Sequence, residues 1–166
     1  LLNIGPRADG TITEEQKEVL LSIGEWLKVN GKAIYGSRPW VKSGEGDAKS
    51  TSGSFSDNTE TKYTARDIRF TTKGNVLYAI VLDWSDKEIL IRSLDKKGIG
   101  DSKIQGISLL GSDEEVNWKQ TESGLRLSFP AEKPCNFAYT FEIVFDKMAG
   151  GQLKNEVVDM PMVHAD

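Results

Sequence analysis

The sequence predicts a mainly β chain, an antiparallel β-sandwich of about eight strands preceded by one α-helix. Three observations carry this. Apolar residues recur at three- and four-residue steps only over residues 14–30, the pattern of an amphipathic helix. Beyond residue 32 the period drops to two, in short runs of Val, Ile, Leu and aromatic residues. Those runs are separated by Gly, Ser, Asp and Pro clusters rather than by further helical patterns, which argues against βαβ units.

The elements follow in order. Leu1-Leu2-Asn3-Ile4 is a short apolar run with neither a Met nor a basic region before it, and it reads as a stretch of something longer rather than as a natural start or a signal peptide. GPRADG (5–10) is turn chemistry. Thr13 before Glu14-Glu15-Gln16 forms a capping-box pattern, with two acids at the positive helix end. Val19, Leu20, Ile23, Trp26 and Leu27 then form the helix's apolar stripe, and Asn30-Gly31 suits a left-handed cap at its end. Ala33-Ile34-Tyr35 and Pro39-Trp40-Val41 read as short extended pieces, and the Ser43–Asn58 stretch as a long surface loop. Arg66–Thr72 and Val76–Trp84 flank the turn Lys73-Gly74-Asn75 as a hairpin. The second of these is apolar on both faces, as a central strand covered on each side would be, and Glu88–Leu94 is its expected partner. Further strands are predicted at Ile104–Leu110, Val116–Gln120, Leu125–Phe129 and Phe137–Phe145, the last with Phe137, Tyr139, Phe141, Ile143 and Phe145 in one core-facing row. Residues 150–166 show no sustained period and read as a tail.

Composition narrows the function. The 166 residues carry 21 Lys+Arg against 25 Asp+Glu, a net charge of −4 with no basic block, so nucleic acid is not an expected partner. No apolar run approaches the roughly 18 residues of a membrane span. One cysteine, Cys135, and one histidine, His164, exclude an intrachain disulfide, a Cys-based zinc site and a paired-His metal centre. Neither a metal nor another cofactor is expected, since IGPRADG and KKGIG lack the spacing and Lys-Ser/Thr end of a phosphate loop.

A lone His164 in a tail assembles no nucleophile system, and Cys135 between Pro134 and Asn136 reads as passive. Two carboxylates suffice for glycoside hydrolysis. Asp67, Asp83, Asp86, Asp113, Glu114, Glu115 and Glu142, however, all fall on strand edges or turns, where a solvated face or a cap explains them. Asp67 beside Arg66 and Arg69 reads as an ion-pair position. Among the tryptophans, Trp26, Trp84 and Trp118 read as core. Trp40 follows Arg38-Pro39 and leads into the loop holding Glu45, a setting for contact with a ligand or a neighbouring domain.

LLNIGPRADGTI, the block IGEWLKVNGKAIYGSRPW, then GEGD, YTARDIRFT and LYAIVLDW follow one another in an order that resembles the C-terminal part of the α-L-fucosidases of glycoside hydrolase family 29. The resemblance covers residues 1 to about 145. It implies a (β/α)8-like catalytic barrel followed by a β-sandwich, with residues 1–31 as the last strand end and helix of the barrel, 32–148 as the C-terminal sandwich and 149–166 as a tail. The helix's apolar stripe would then lie against that barrel. The resemblance further implies a parent that cleaves terminal α-L-fucose from glycans with retention, with its nucleophile and acid/base upstream of the position matching Leu1, so that no residue of this chain is catalytic and the chain alone is inactive. Its partners would be the barrel of the parent chain and a fucosylated glycan, and its setting secreted, periplasmic or degradative. The stretch from Arg38 to Asp47 follows the barrel helix, which makes Arg38, Trp40 and Glu45 the candidate substrate-binding residues; GEGD departs there from the GEG-Pro pattern common in the family. The alternative is a carbohydrate-binding module with its own aromatic platform.

Overall fold

The computed structural model describes residues 3–48 and 62–147. The expectations for Leu1 and Leu2, for most of the Ser/Gly-rich loop, and for the tail with His164 lie outside these residues.

Helix α1 (Glu14–Asn30) starts as the capping pattern requires, with the Gln16 N–H donating to Thr13 Oγ1 at 3.3 Å and two acids in the first turn. The reciprocal half of the box is not made, because Gln16 Oε1 is buried without a hydrogen-bond partner. The left-handed end is not adopted either. Gly31 is right-handed (φ −57°), and the chain runs on into a 3-10 turn, Gly31–Ala33, in place of the extended piece expected at Ala33–Tyr35. Glycine lets the Tyr35 ring lie over this turn, since a Cβ at Gly31 would stand 2.8 Å from the ring.

Eight strands follow among the described residues: β1 (Arg38–Glu45), β2 (Ile68–Lys73), β3 (Val76–Val81), β4 (Ile89–Ile91), β5 (Ile104–Leu109), β6 (Trp118–Thr121), β7 (Gly124–Leu127) and β8 (Tyr139–Phe145). They form two antiparallel sheets, one of five strands in the order β1-β2-β3-β8-β5 and one of three in the order β4-β7-β6. A short helix α2 (Lys96–Ile99), which the apolar pattern does not announce, starts at the Asp95 cap, whose Oδ1 accepts from Gly98 N.

The β2–β3 hairpin forms through Gly74 (φ 61°) as the turn chemistry predicts. Residues 88–94 do not pair with β3. Their strand, β4, joins β7 in the other sheet, and β3 is flanked by β2 and β8. Val81 of this central strand pairs with Tyr139, 58 residues further along, and local pattern carries no information about such a pairing.

β3 is nonetheless covered on both faces. Leu77, Ala79 and Val81 enter the main core between the sheets, with Phe70, Ile91, Leu125, Leu127, Phe141 and Ile143. Tyr78 and Ile80 face outward into a second core closed by Ala33, Leu110 and the half-buried Trp26 and Val29 of α1. The molecule is therefore three layers deep along this strand: helix, five-stranded sheet, three-stranded sheet. No helix among the described residues is long and apolar enough to cross a membrane.

Candidate functional site

The three residues singled out by sequence do not converge. Arg38 is exposed at the start of β1, opposite Thr72, whereas Glu45 ends that strand opposite Ile68. The two levels lie about 13 Å apart along β2. Trp40, between them, is a correction to the sequence reading. It is 1% exposed in the main core, edge-on to Phe70 with ring centroids 5.1 Å apart, and offers no ring face to a sugar. Residues read as the approach to a loop are strand residues here: β1 takes five steps from Pro39 to Gly44 while β2 takes two from Thr71 to Arg69. This bulge in an edge strand accompanies the burial of Trp40.

Glu45 is occupied structurally. Its carboxylate accepts the backbone N–H of Arg92 at 2.8 Å and of Ser93 at 2.7 Å, linking the five-stranded sheet to the 3-10 turn Arg92–Leu94 that follows β4. Asp67 works similarly on the neighbouring segment. It is 2% exposed and accepts from Ala48 N, Thr64 N and Thr64 Oγ1 at 2.8, 2.8 and 3.0 Å. Burial pushes its pKa up, but these hydrogen bonds and the Arg69 charge outweigh burial and hold it below the usual carboxylate value. The expected pairing with Arg66 is not made, because Arg66 lies 3.6 Å from Asp47 instead. Sequence reasoning missed both carboxylate links. The signal available was the glycines beside Glu45: a Cβ at Gly44 would stand 2.4 Å from Ile68 O, and one at Gly46 (φ 139°) 2.3 Å from Asp67 Oδ1.

An open cleft of about 1020 Å³ lies at this end of the sandwich, walled by residues that include Lys42, Asp67, Trp84, Glu88 and Arg92. Its carboxylates already have partners. Glu88 pairs with Arg126 at 2.8 Å, Asp83 accepts from Trp84 N, Asp47 meets Arg66, and Glu45 and Asp67 hold backbone amides. Trp84 is half-buried and packs on Phe129 and Tyr139, in agreement with a core role. Trp118 departs from that expectation, being 39% exposed on the edge strand β6. Among the described residues no cluster of His, Cys, Asp and Glu could hold a metal ion. Burial raises the Cys135 thiol pKa, against the opposing Asn30 hydrogen bond, and keeps it protonated at neutral pH.

The open apolar surface is elsewhere, on α1. At 100° per residue, Val19, Ile23, Trp26 and Asn30 share a face within about 60° of arc. Trp26 and Asn30 are taken up by this chain: Trp26 Nε1 donates to Ala138 O at 2.7 Å, and Asn30 is fully buried. Val19 and Ile23 remain 54% and 39% exposed. Ala138 lies just before Tyr139, which pairs with Val81 at the end of β3, so α1 crosses the end of the sheet near Trp26. From there back to Glu14 it continues about 18 Å. The same end of the sandwich carries Glu45, Asp67 and the cleft.

Comparison with known proteins gives these features a family. Residues 60–144 match the family model described as the alpha-L-fucosidase C-terminal domain, and residues 1–32 match that of the alpha-L-fucosidase family. Human tissue alpha-L-fucosidase is 31% identical over 148 residues, which are 86% of this chain and 27% of that protein. The Thermotoga maritima alpha-fucosidase structure superposes with a TM-score of 0.62 at 30% identity, covering 87% of this chain and 30% of that one. An alpha-L-fucosidase isoenzyme from Paenibacillus thiaminolyticus gives 0.58 at 28% identity, covering 89% and 30%. The chain thus spans under a third of the length of the relatives it matches. By its family matches and its two antiparallel sheets behind one helix, the chain belongs to the α-L-fucosidases of glycoside hydrolase family 29, as their C-terminal domain with a short end of the catalytic domain.

Proposed function

We propose that this domain is the non-catalytic part of a retaining, exo-acting α-L-fucosidase, that it braces the catalytic barrel through α1, and that the loops at the Glu45 end of the sandwich wall the approach to the fucose site. One observation carries the reading. The helix lies within the segment that matches the fucosidase family model, and half of its apolar face is left open by the sandwich at Val19 and Ile23. An apolar helix face of this kind needs a partner, and a barrel packed against it supplies one. The carboxylates at the Glu45 end support a bracing role for these loops, since each is spent on holding backbone or an ion pair. Chemistry on the glycosidic bond then falls to the barrel.

The test is Ile23→Glu in the parent chain, with hydrolysis of an aryl α-L-fucoside and thermal unfolding as readouts. Burying a charge at the proposed contact lowers the temperature at which activity is lost. An unchanged inactivation temperature would sink the bracing role. The 166-residue chain alone is expected to release no aglycone from the same substrate, and measurable turnover would assign catalysis to it.

A further inference from the structure

The cleft at the Glu45 end is lined by five carboxylates and five cations, and the two sets differ in how they are engaged. Every carboxylate has a partner. Both Glu45 oxygens accept backbone amides, from Arg92 and Ser93, and both Asp67 oxygens do the same for Ala48 and Thr64. Asp47 meets Arg66, Asp83 accepts the Trp84 amide, and Glu88 pairs with Arg126. Of the lining cations only Arg66 has a counter-charge. Among the described residues the ammonium groups of Lys42, Lys62 and Lys87 and the guanidinium of Arg92 make no ion pair or hydrogen bond, and all four side chains are exposed.

The formal charges of the lining cancel, so the cleft is distinguished by the type of hydrogen-bonding group it leaves free. An ammonium or a guanidinium is all donor and no acceptor, whereas the acceptors of this cleft are turned to the protein's own backbone and arginines. A single solvated lysine needs no partner, but four such groups around one concave surface leave it with surplus donors. Ala65, Trp84 and Leu90 add half-buried apolar surface to the same lining. The volume of about 1020 Å³ matches the upper end of the roughly 300–1,000 Å³ of ligand pockets and is far more than a bare inorganic anion fills. Surplus donors beside apolar walls suit a molecule that joins C–H faces to anionic oxygens. A glycan bearing sulfate esters or carboxylates is such a molecule.

We propose that this cleft binds the anionic groups of the fucosylated glycan, so that the parent enzyme prefers substrates carrying sulfate or carboxylate near the fucose over neutral ones. This rests on the reading that the loops at the Glu45 end wall the approach to the fucose site. Lys42 reaches the cleft from β1, Lys87 from the turn before β4 and Arg92 from the 3-10 turn after it, so three separate segments converge on the ligand. Glu45 is the positioning residue of the set: by holding the amides of Arg92 and Ser93 it fixes against β1 the segment that carries the Arg92 guanidinium.

The test titrates the 166-residue chain with the Lewis x oligosaccharide in neutral, sulfated and sialylated forms, and with inorganic sulfate, reading the Trp84 indole and the Lys87 and Arg92 amides by two-dimensional NMR. The expected result is saturable binding of a charged form about tenfold tighter, or more, than of the neutral form or of inorganic sulfate. Binding of the sulfated form alone assigns the anion to a sulfate ester, and of the sialylated form alone to a carboxylate. Equal affinity for neutral and charged forms overturns the inference. So does the lack of any saturable shift, or inorganic sulfate binding as tightly as the glycan.

Lys87→Gln and Arg92→Gln are each expected to weaken the charged form about fivefold, and Lys87→Glu more, without a fall in Tm. Unchanged affinity in all three variants overturns the assignment. In the parent chain the same variants lower kcat/KM for the charged glycan relative to the neutral one. If they weaken binding but leave that ratio unmoved, the cleft stands away from the fucose site, and the walling reading fails together with the substrate preference; if no charged form binds, the inference fails and the walling reading stands.

Discussion

Replacing Glu45 separates a structural carboxylate from a sugar ligand. Its two oxygens accept two backbone N–H groups, from Arg92 and Ser93 at 2.8 and 2.7 Å, across the junction of the two sheets. Hydrogen bonds to a charged acceptor contribute about 1.5–3 kcal/mol each, and the partly exposed position favours the lower end. Glu45→Ala therefore costs about 3 kcal/mol, a fall in Tm of about 6–12 °C for a chain of this size. Glu45→Gln keeps one acceptor oxygen and loses roughly half as much. Thermal unfolding followed by near-ultraviolet circular dichroism measures both, and amide exchange at Arg92 and Ser93 locates the effect. In the parent chain kcat and KM at low temperature are expected to stay near wild type for Glu45→Gln. A raised KM with an unchanged Tm would refute it and return Glu45 to the substrate site.

Trp40→Ala empties the space beside Phe70 in the main core and is expected to cost about 3–5 kcal/mol, enough to leave the chain largely unfolded at 37 °C; a near-native melting curve would contradict the burial described above. Asp67→Asn removes a carboxylate whose folded pKa lies below the usual 3.8, so its contribution is present above that value and is lost as pH falls through the folded pKa. The Tm difference between wild type and Asp67→Asn is thus full near neutral pH and closes in acid, and a difference that is constant with pH would contradict the assignment. Trp26→Phe deletes the 2.7 Å bond from α1 to Ala138, costs about 1 kcal/mol, and speeds amide exchange in the last turns of α1, while the strands keep their protection.

Sequence periodicity identified α1 and most strands within two residues, because a helix or strand with one face on a core writes its period into the chain. It even read β3 as covered on both sides, although the cover is a helix on one face and a sheet on the other. The failures are of two physical kinds. Pairing between distant segments leaves no local trace, so sequence order suggests β3 as the neighbour of β4, whose partner is β7. Tertiary contacts also overrode local pattern, as where Trp26 and Cys135 hold the turn that expels Phe137 from its row, and where an edge bulge goes with a buried Trp40. At the candidate site the structural task of Glu45 leaves no local trace, since a carboxylate binding two amides across 47 and 48 residues looks in sequence like any loop acid.

β8 lies inside the five-stranded sheet, between β3 and β5, although it is the last strand in sequence among the described residues. A ribosome must therefore deliver Phe145 before the sheet can be joined, and until then β3 and β5 each present a bare edge. The five-stranded sheet is thus joined through its interior by the strand that is made last of the five. A stop codon ahead of Tyr139 would remove the seam that unites the hairpin of β2 and β3 with β5, whereas loss of the terminal strand in a sheet built outward in sequence order would only trim an edge. Chains that lack β8 carry the exposed edges by which chaperones and proteases recognise incomplete folds.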